Sequence, residues 1–396
     1  MTAAHATAAP RDDRVAAPTS SRRAGSLSGS ALIDLLVLAR RVGAIDLAAG
    51  VPAYPGTPTA LLDEAVHALR GPYNQYEDPR GNQLLREQIA RGFAVPADPD
   101  TEITVTVGAT EGLCVAVLAT IDPGDEVVIF EPFYEYFAST LALAGGIPRV
   151  VPLRGPDWRW DAGEIAAAFG PRTRAVIVNT PANPTGRMLT ATELAEIGEH
   201  AERWGATVIS DETYADLVFD GRRHVSVADV PGLRSRGIVI GSLSKSMAIS
   251  GWRLGYLRAD AERTKVLRRV HEVTTNGAAA PLQLAVASSG IIGEPGWKPA
   301  TGLAHRRDLV QRMLHDLGLA FHPAEGGCFV LADISAVTGL DCHAYCRQLL
   351  QQRGVLVVPG TAFFTDPLRG RRYVRVAFNR SLETIRAAGE RLAGKE

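Results

Sequence analysis

GIVIGSLSKSMAISGWRLG, residues 237–255, is the stretch from which the fold can be read. It opens with a short apolar run, Ile238–Ile240, of the length and composition of a buried strand. Ser242, Ser244 and Lys245 follow directly, and Arg253 comes eight residues after the lysine. An ammonium group next to a buried strand is costly unless it is paired or neutral. Desolvation lowers the pKa of such a lysine and frees its lone pair, which suits Schiff-base formation. On its own, Lys245 reads more readily as a surface residue just past a strand end. The two hydroxyls and Arg253 shift that balance, because Ser, Lys and Arg from one loop can hold a phosphate ester beside an imine.

The same strand-then-turn pattern recurs on either side. From about residue 100, short β-rich runs alternate with helical stretches. TEITVTVGAT, DEVVIFEP, RAVIVNTPANPTG and ATVISDETY read as strands, and EGLCVAVLATI and ATELAEIGEHAERWG as helices, the second capped by Gly205. This rhythm predicts an α/β fold with a mainly parallel sheet covered by helices on both faces. Reactive residues are then expected at strand ends and in the turns after them. Beyond about residue 285 the pattern changes. A long helical stretch leads to GCFVLADI, a helix over 340–353, GVLVVPG, YVRVAF and a last helix in SLETIRAAGERLAG. The expected division is a flexible arm over 1–28, a large domain over 51–285, and a smaller α+β domain made of 29–50 and 286–396. Arg22-Arg23 and ALIDLLVLA are read as the approach to a first helix rather than an export signal, because the apolar stretch is short and carries Asp34.

Composition narrows the function classes. The chain has 396 residues, 46% of them hydrophobic, with 42 basic and 43 acidic side chains. That balance gives no bulk electrostatic case for nucleic acid, and no run of about 18 apolar residues is present to span a membrane. Cys114, Cys328, Cys342 and Cys346 fit no disulfide framework, and a reducing cytoplasm is the expected location. Cys342, His343 and Cys346 lie on an amphipathic helix. They are read as packing rather than as a metal site, since four-ligand sites need a second pair.

Several other residues stand where chemistry is expected, each with an ordinary reading beside it. Asp211, in VISDETYADL, ends an apolar strand and can be a helix or turn cap. Asn183, in NTPANPTG, lies in a proline-rich turn. Gly108-Ala109-Thr110 joins a strand to a helix, where free N–H groups and the dipole favour an anion, although such turns are common in α/β sheets. Tyr134, in EPFYEYF, can be a core aromatic, and Tyr76, in YNQYEDPRG, a loop aromatic. Arg375, in RRYVRVAF, sits in an alternating strand where a guanidinium needs a buried anion partner. Its planar fork suits a carboxylate. Gly50, in IDLAAGVP, allows close approach to the backbone.

Taken together, these motifs resemble the fold-type I, class I/II aminotransferase family, in family order and over nearly all of the chain after about residue 30. The resemblance implies pyridoxal 5'-phosphate bound to Lys245 as a Schiff base, with Ser242, Arg253 and the amides of Gly108, Ala109 and Thr110 on its phosphate. It implies that Asp211 faces the pyridine nitrogen, that Tyr214 and Asn183 bond the ring's O3', and that Tyr134 stacks on the ring. It further implies a cis peptide before Pro184. Arg375, Gly50 and Asn183 would hold the substrate carboxylate. Tyr76 would reach the cofactor phosphate of a neighbouring subunit, making a homodimer part of the apparatus. The implied reaction moves an amino group between an L-amino acid and a 2-oxo acid by a ping-pong route. The alternatives are β-elimination or another non-transaminating reaction on the same site and, from a different class, a non-catalytic effector-binding module. The motifs look closest to the kynurenine, methionine and aspartate aminotransferase branch, with bulky neutral substrates.

Overall fold

The alternation of strands and helices closes into one seven-stranded sheet. A computed structural model describes residues 20–25, 27 and 31–394. Across the sheet the strands run Ile103–Val107, Leu254–Arg258, Gly237–Ser242, Thr207–Asp211, Thr173–Asn179, Glu126–Glu131 and Ile147–Pro152. Leu254–Arg258 pairs antiparallel with both of its neighbours, and the remaining pairs are parallel. Side-chain alternation explains why both faces are covered. Ala175 and Ile177 enter one apolar cluster with Ile129, Ile209 and Ile240. Val176 and Val178 enter another with Val128, Val208 and Val239. A strand apolar at every position has to be buried on both sides. The helices supply the cover. Ala191–Trp204 begins in a capping box between Thr190 and Glu193 and stops at left-handed Gly205.

Strand direction decides where the functional residues meet. Asn179, Asp211 and Ser242 end three adjacent parallel strands and so share one edge. The reversed strand begins at that same edge, with Ser242 opposite Gly255 and Val107 opposite Leu254. Arg253 and Gly108, which flank those last two residues, arrive there as well.

The C-terminal part builds a four-stranded antiparallel sheet in the order Val358–Pro359, Tyr373–Ala377, Phe329–Asp333, Ala320–Phe321. GVLVVPG is divided between two sheets: Val355–Leu356 pairs instead with Ile45–Asp46, in parallel. Apolar side chains fill the run almost throughout, so its composition carries no mark of the crossover at Val357. The pairing at Ile45 ties the segment before Gly50 to the C-terminal part. Cys342 and Cys346 are fully buried in an apolar cluster. The expected arm over 1–28 lies mostly outside the described residues, of which Arg22–Gly25 form one helical turn.

Candidate active site

An open cleft lies along that strand edge. Lys245, Asp211, Asn183 and Tyr214 line it, as do Ala109, Thr110, Tyr134, Ser242 and Arg253. Residues spread over 145 positions of sequence are thus brought together by the topology described above.

One end of the cleft is built for an anion. Gly108 has φ +74°, and a Cβ there would fall 2.6 Å from Nη2 of Arg253. Glycine therefore lets the guanidinium lie directly against the turn. Arg253 is itself left-handed, with φ 55°, and its Nη1 donates to the Ser250 carbonyl at 3.2 Å. Ser242 Oγ accepts the N–H of Ser244 at 3.2 Å. The helix Gly108–Leu118 starts here, and the first N–H groups of a helix have no partner within it. Hydroxyl, guanidinium and helix start converge as a phosphate ester requires.

The other end carries the titratable groups. Lys245 Nζ donates to the Gly50 carbonyl at 2.9 Å. Burial pushes the Lys245 amine below its usual range, with Arg253 and Arg375 pushing the same way. Burial pushes the Asp211 carboxyl up against the N–H of Thr213, which it accepts at 3.1 Å. Burial likewise pushes the phenols of Tyr134 and Tyr214 up. A buried carboxylate and a buried amine in one cleft favour a ligand that supplies a cation to the first and a carbonyl carbon to the second. These residues fit pyridoxal phosphate.

Arg375 is buried among neutral partners. It is 4% exposed, yet its hydrogen-bond acceptors are neutral: Oδ1 of Asn183 at 2.9 Å and the Ala48 carbonyl at 3.1 Å. Its Nε is buried without a partner, and its guanidinium lies over the rings of Phe329 and Phe363, 4.0 and 4.8 Å from their centroids. Burial therefore works against its charge, and the anion expected from the sequence is not supplied by a hydrogen-bonded side chain. Gly50 is held closely as well, since a Cβ there would meet Cζ of Phe329 at 2.9 Å.

Two positioning residues escaped the sequence reading. Asn179 donates to the Asp211 carbonyl at 2.9 Å and accepts the N–H of Asn183 at 2.7 Å, so it sets both neighbours. An amide at the end of an otherwise apolar strand was the available signal. Arg380 donates to the carbonyls of Asp46, Ala49 and Val51 at 2.6, 2.6 and 2.9 Å, holding the Gly50 loop from both sides. The peptide bonds before Pro181 and Pro184 are cis. Tyr76 is not among the residues lining this cleft; it stands 91% exposed on the surface.

The profile of the family described as aminotransferase class I and II matches residues 42–392. The chain is 37% identical over 377 residues to a probable N-succinyldiaminopimelate aminotransferase of Mycobacterium tuberculosis, covering 91% of this chain and 94% of that one. It is 36% identical over 365 residues to a methionine aminotransferase of Escherichia coli, with the same coverage. The solved structure of an Escherichia coli protein with a methionine aminotransferase function superimposes with a TM-score of 0.90 at 33% identity, over 96% of this chain and 100% of that one.

Proposed function

The chain belongs to the aminotransferases of class I and II, and we propose how its residues divide the work of that chemistry. It is a pyridoxal phosphate-dependent enzyme that moves an amino group between an amino acid and a 2-oxo acid in ping-pong turnover. When bound, the cofactor supplies an electron sink for the charge that develops at the substrate Cα. In our reading, Lys245 holds the cofactor covalently, and its freed amine takes the proton from the substrate Cα. Burial lowers its pKa and so favours the neutral, basic form of that amine. Asp211 keeps the ring nitrogen protonated, Tyr214 and Asn183 bond the ring hydroxyl, and Tyr134 covers the ring. Gly108, Ala109, Thr110, Ser242 and Arg253 take the phosphate. Arg375 takes the substrate carboxylate beside Gly50 and Asn183, which aims the Cα–H bond.

The observation that carries this reading is the meeting of Lys245, Asp211 and Arg253 in one cleft, from segments with no other reason to share it. The test is a half-reaction. Protein loaded with pyridoxal phosphate and given an amino acid, without a 2-oxo acid, will accumulate pyridoxamine phosphate in step with released oxo acid. Pyruvate and ammonia without pyridoxamine phosphate would instead place an elimination on the same site.

For substrate we propose an L-amino acid with a bulky neutral side chain. Apolar rings, Phe329 and Phe363, flank Arg375. Among the described residues that line the cleft, the arginine is Arg253, and it lies at the phosphate end. The methionine aminotransferase of Escherichia coli points the same way by its name. Arg375→Ala will lower kcat/KM for amino acids by on the order of 10²–10³, the loss typical of one partner in a buried, hydrogen-bonded charge pair. The effect will appear mainly in KM. Equal KM values in variant and parent would remove Arg375 from carboxylate binding.

Our reading also includes a homodimer in which Tyr76 crosses to the neighbouring site, supported by its exposure. It includes a large domain over 51–285 and a small one made of 29–50 and 286–396, supported by the pairing of Ile45–Asp46 with Val355–Leu356. It also includes a cytoplasmic location, in keeping with four unpaired cysteines. Among the described residues, no helix is long and apolar enough to cross a membrane.

A further inference from the structure

Outside the cleft, beneath the phosphate turn, lies a buried glutamate–histidine pair that the mechanism above does not use. Glu111 follows Thr110 in the first turn of helix Gly108–Leu118. Its Oε2 accepts the N–H of Val107 at 2.6 Å, on the far side of Gly108, Ala109 and Thr110. One side chain thus grips the turn from both ends. Its Oε1 lies 2.7 Å from Nδ1 of His271 and accepts the Thr275 hydroxyl at 2.7 Å. His271 is fully buried, and its Nε2 lies 2.9 Å from the Pro79 carbonyl.

The protonation of Glu111 follows from its partners. A carbonyl oxygen can only accept. Burial pushes the Glu111 carboxyl up, but the hydrogen bond and charge of His271, with bonds from Thr275 and Val107, outweigh it and hold the group below the usual range. Glu111 is therefore a carboxylate and also only an acceptor. Both ring nitrogens of His271 are thus engaged, Nδ1 by Glu111 and Nε2 by the Pro79 carbonyl.

Pro79 lies three residues after Tyr76, and the residues around it are tied by hydrogen bonds. Asp78 accepts the N–H of Arg80 at 2.8 Å through Oδ1 and the N–H of Gly81 at 2.7 Å through its carbonyl. Asn82 donates from Nδ2 to Glu77 at 3.2 Å and from its backbone to Gln283 at 2.8 Å. A short path therefore runs from the Gly108–Thr110 turn through Glu111 and His271 to Pro79 and the exposed Tyr76.

This step rests on the reading that the turn serves the cofactor of its own subunit while Tyr76 serves the neighbour's. We infer that the Glu111–His271 pair is a positioning device that locks these two phosphate-binding elements of one subunit in register. Cofactor retention at either site then depends on His271 of both subunits. His271 touches neither cofactor nor substrate and acts only through the two backbones it ties.

The test uses dimers assembled from two differently tagged subunits. One carries Lys245→Ala, so that borohydride-trapped cofactor reports only the other site. His271→Gln is then placed in the Lys245→Ala subunit alone, leaving the reporting subunit's own turn unchanged. Titration with pyridoxal phosphate should show the dissociation constant of the reporting site raised about tenfold, a typical inter-site coupling. Tyr76→Phe in the same Lys245→Ala subunit is the control and should raise it as well. A rise with Tyr76→Phe and none with His271→Gln would overturn the device and leave the Tyr76 reading intact. No rise with either would overturn the Tyr76 reading and the device with it. If His271→Gln fails to assemble, Glu111→Gln, which keeps the shape and removes the charge, is scored by the same two outcomes. A purely structural role would lower thermal stability without changing affinity at a site on the other chain.

Discussion

Lys245→Ala will give a folded protein that binds pyridoxal phosphate without a covalent link and transaminates more slowly by at least about 10²–10⁴, the range for a positioned general acid or base. The structure gives reasons for both halves of that expectation. The amine donates to the Gly50 carbonyl, and Arg380 holds that loop independently through Asp46, Ala49 and Val51. Losing the amine therefore leaves the loop in place. Lys245 is also a cost to the cofactor-free fold. Its pKa is lowered on folding, so between that value and the unfolded value of 10.5 the unfolded chain binds more protons. Stability of the cofactor-free protein accordingly rises with pH across that window. The alanine variant lacks this dependence and should melt no lower than the parent at neutral pH. Borohydride treatment and peptide mapping of the parent should find the reduced cofactor on the peptide containing Lys245. An unmodified peptide from cofactor-saturated protein, or full activity in the alanine variant, would remove the lysine from this role.

Asp211→Asn carries the second large effect, a rate loss on the order of 10²–10³ with the fold retained, comparable to removing one preorganised charge-stabilising group. Asparagine keeps the shape and can still accept the N–H of Thr213, which Asp211 takes at 3.1 Å. What it loses is the charge that favours a protonated ring nitrogen. The cofactor-free variant should not be less stable. Burial raises the Asp211 carboxyl, so above the unfolded pKa ionisation favours the unfolded chain, and stability contributed by the neutral form falls as pH rises. The useful comparison is the single-turnover rate at saturating amino acid, alongside the melting temperature without cofactor. A near-normal rate would sink the electron-sink assignment for Asp211, whatever the melting curves show.

The sequence was most informative where function follows local order. Lys245, Asp211, Asn183 and Gly108 each end or follow a strand, and strand runs of alternating partners can be read from apolar composition. Contacts made across the fold were not legible in the same way. Arg380 lies 334 positions from Asp46 and looks like any arginine before a C-terminal helix. His271 sits in a charged helix, and only its pairing with Glu111, 160 positions away, gives it meaning. Arg375 could be singled out from its strand, but the groups that hold it could not. A buried guanidinium does call for an anion, but the fold meets it with neutral acceptors and leaves Nε unpartnered. GVLVVPG shows the limit for short apolar runs, whose choice of sheet depends on neighbours they do not encode.

The order of strands has a metric consequence. Walking across the sheet from its Ile103–Val107 edge, one meets Gly108, then Arg253, then Ser242, then Asp211, then Asn179. Adjacent strands sit about 4.8 Å apart, so the strand that begins after Arg253 and the strand that ends at Asp211 lie roughly 10 Å from each other. The sheet works as a ruler graduated in backbone hydrogen bonds. Side-chain changes can alter what grips the ligand at each mark, but the distance between marks belongs to the main chain.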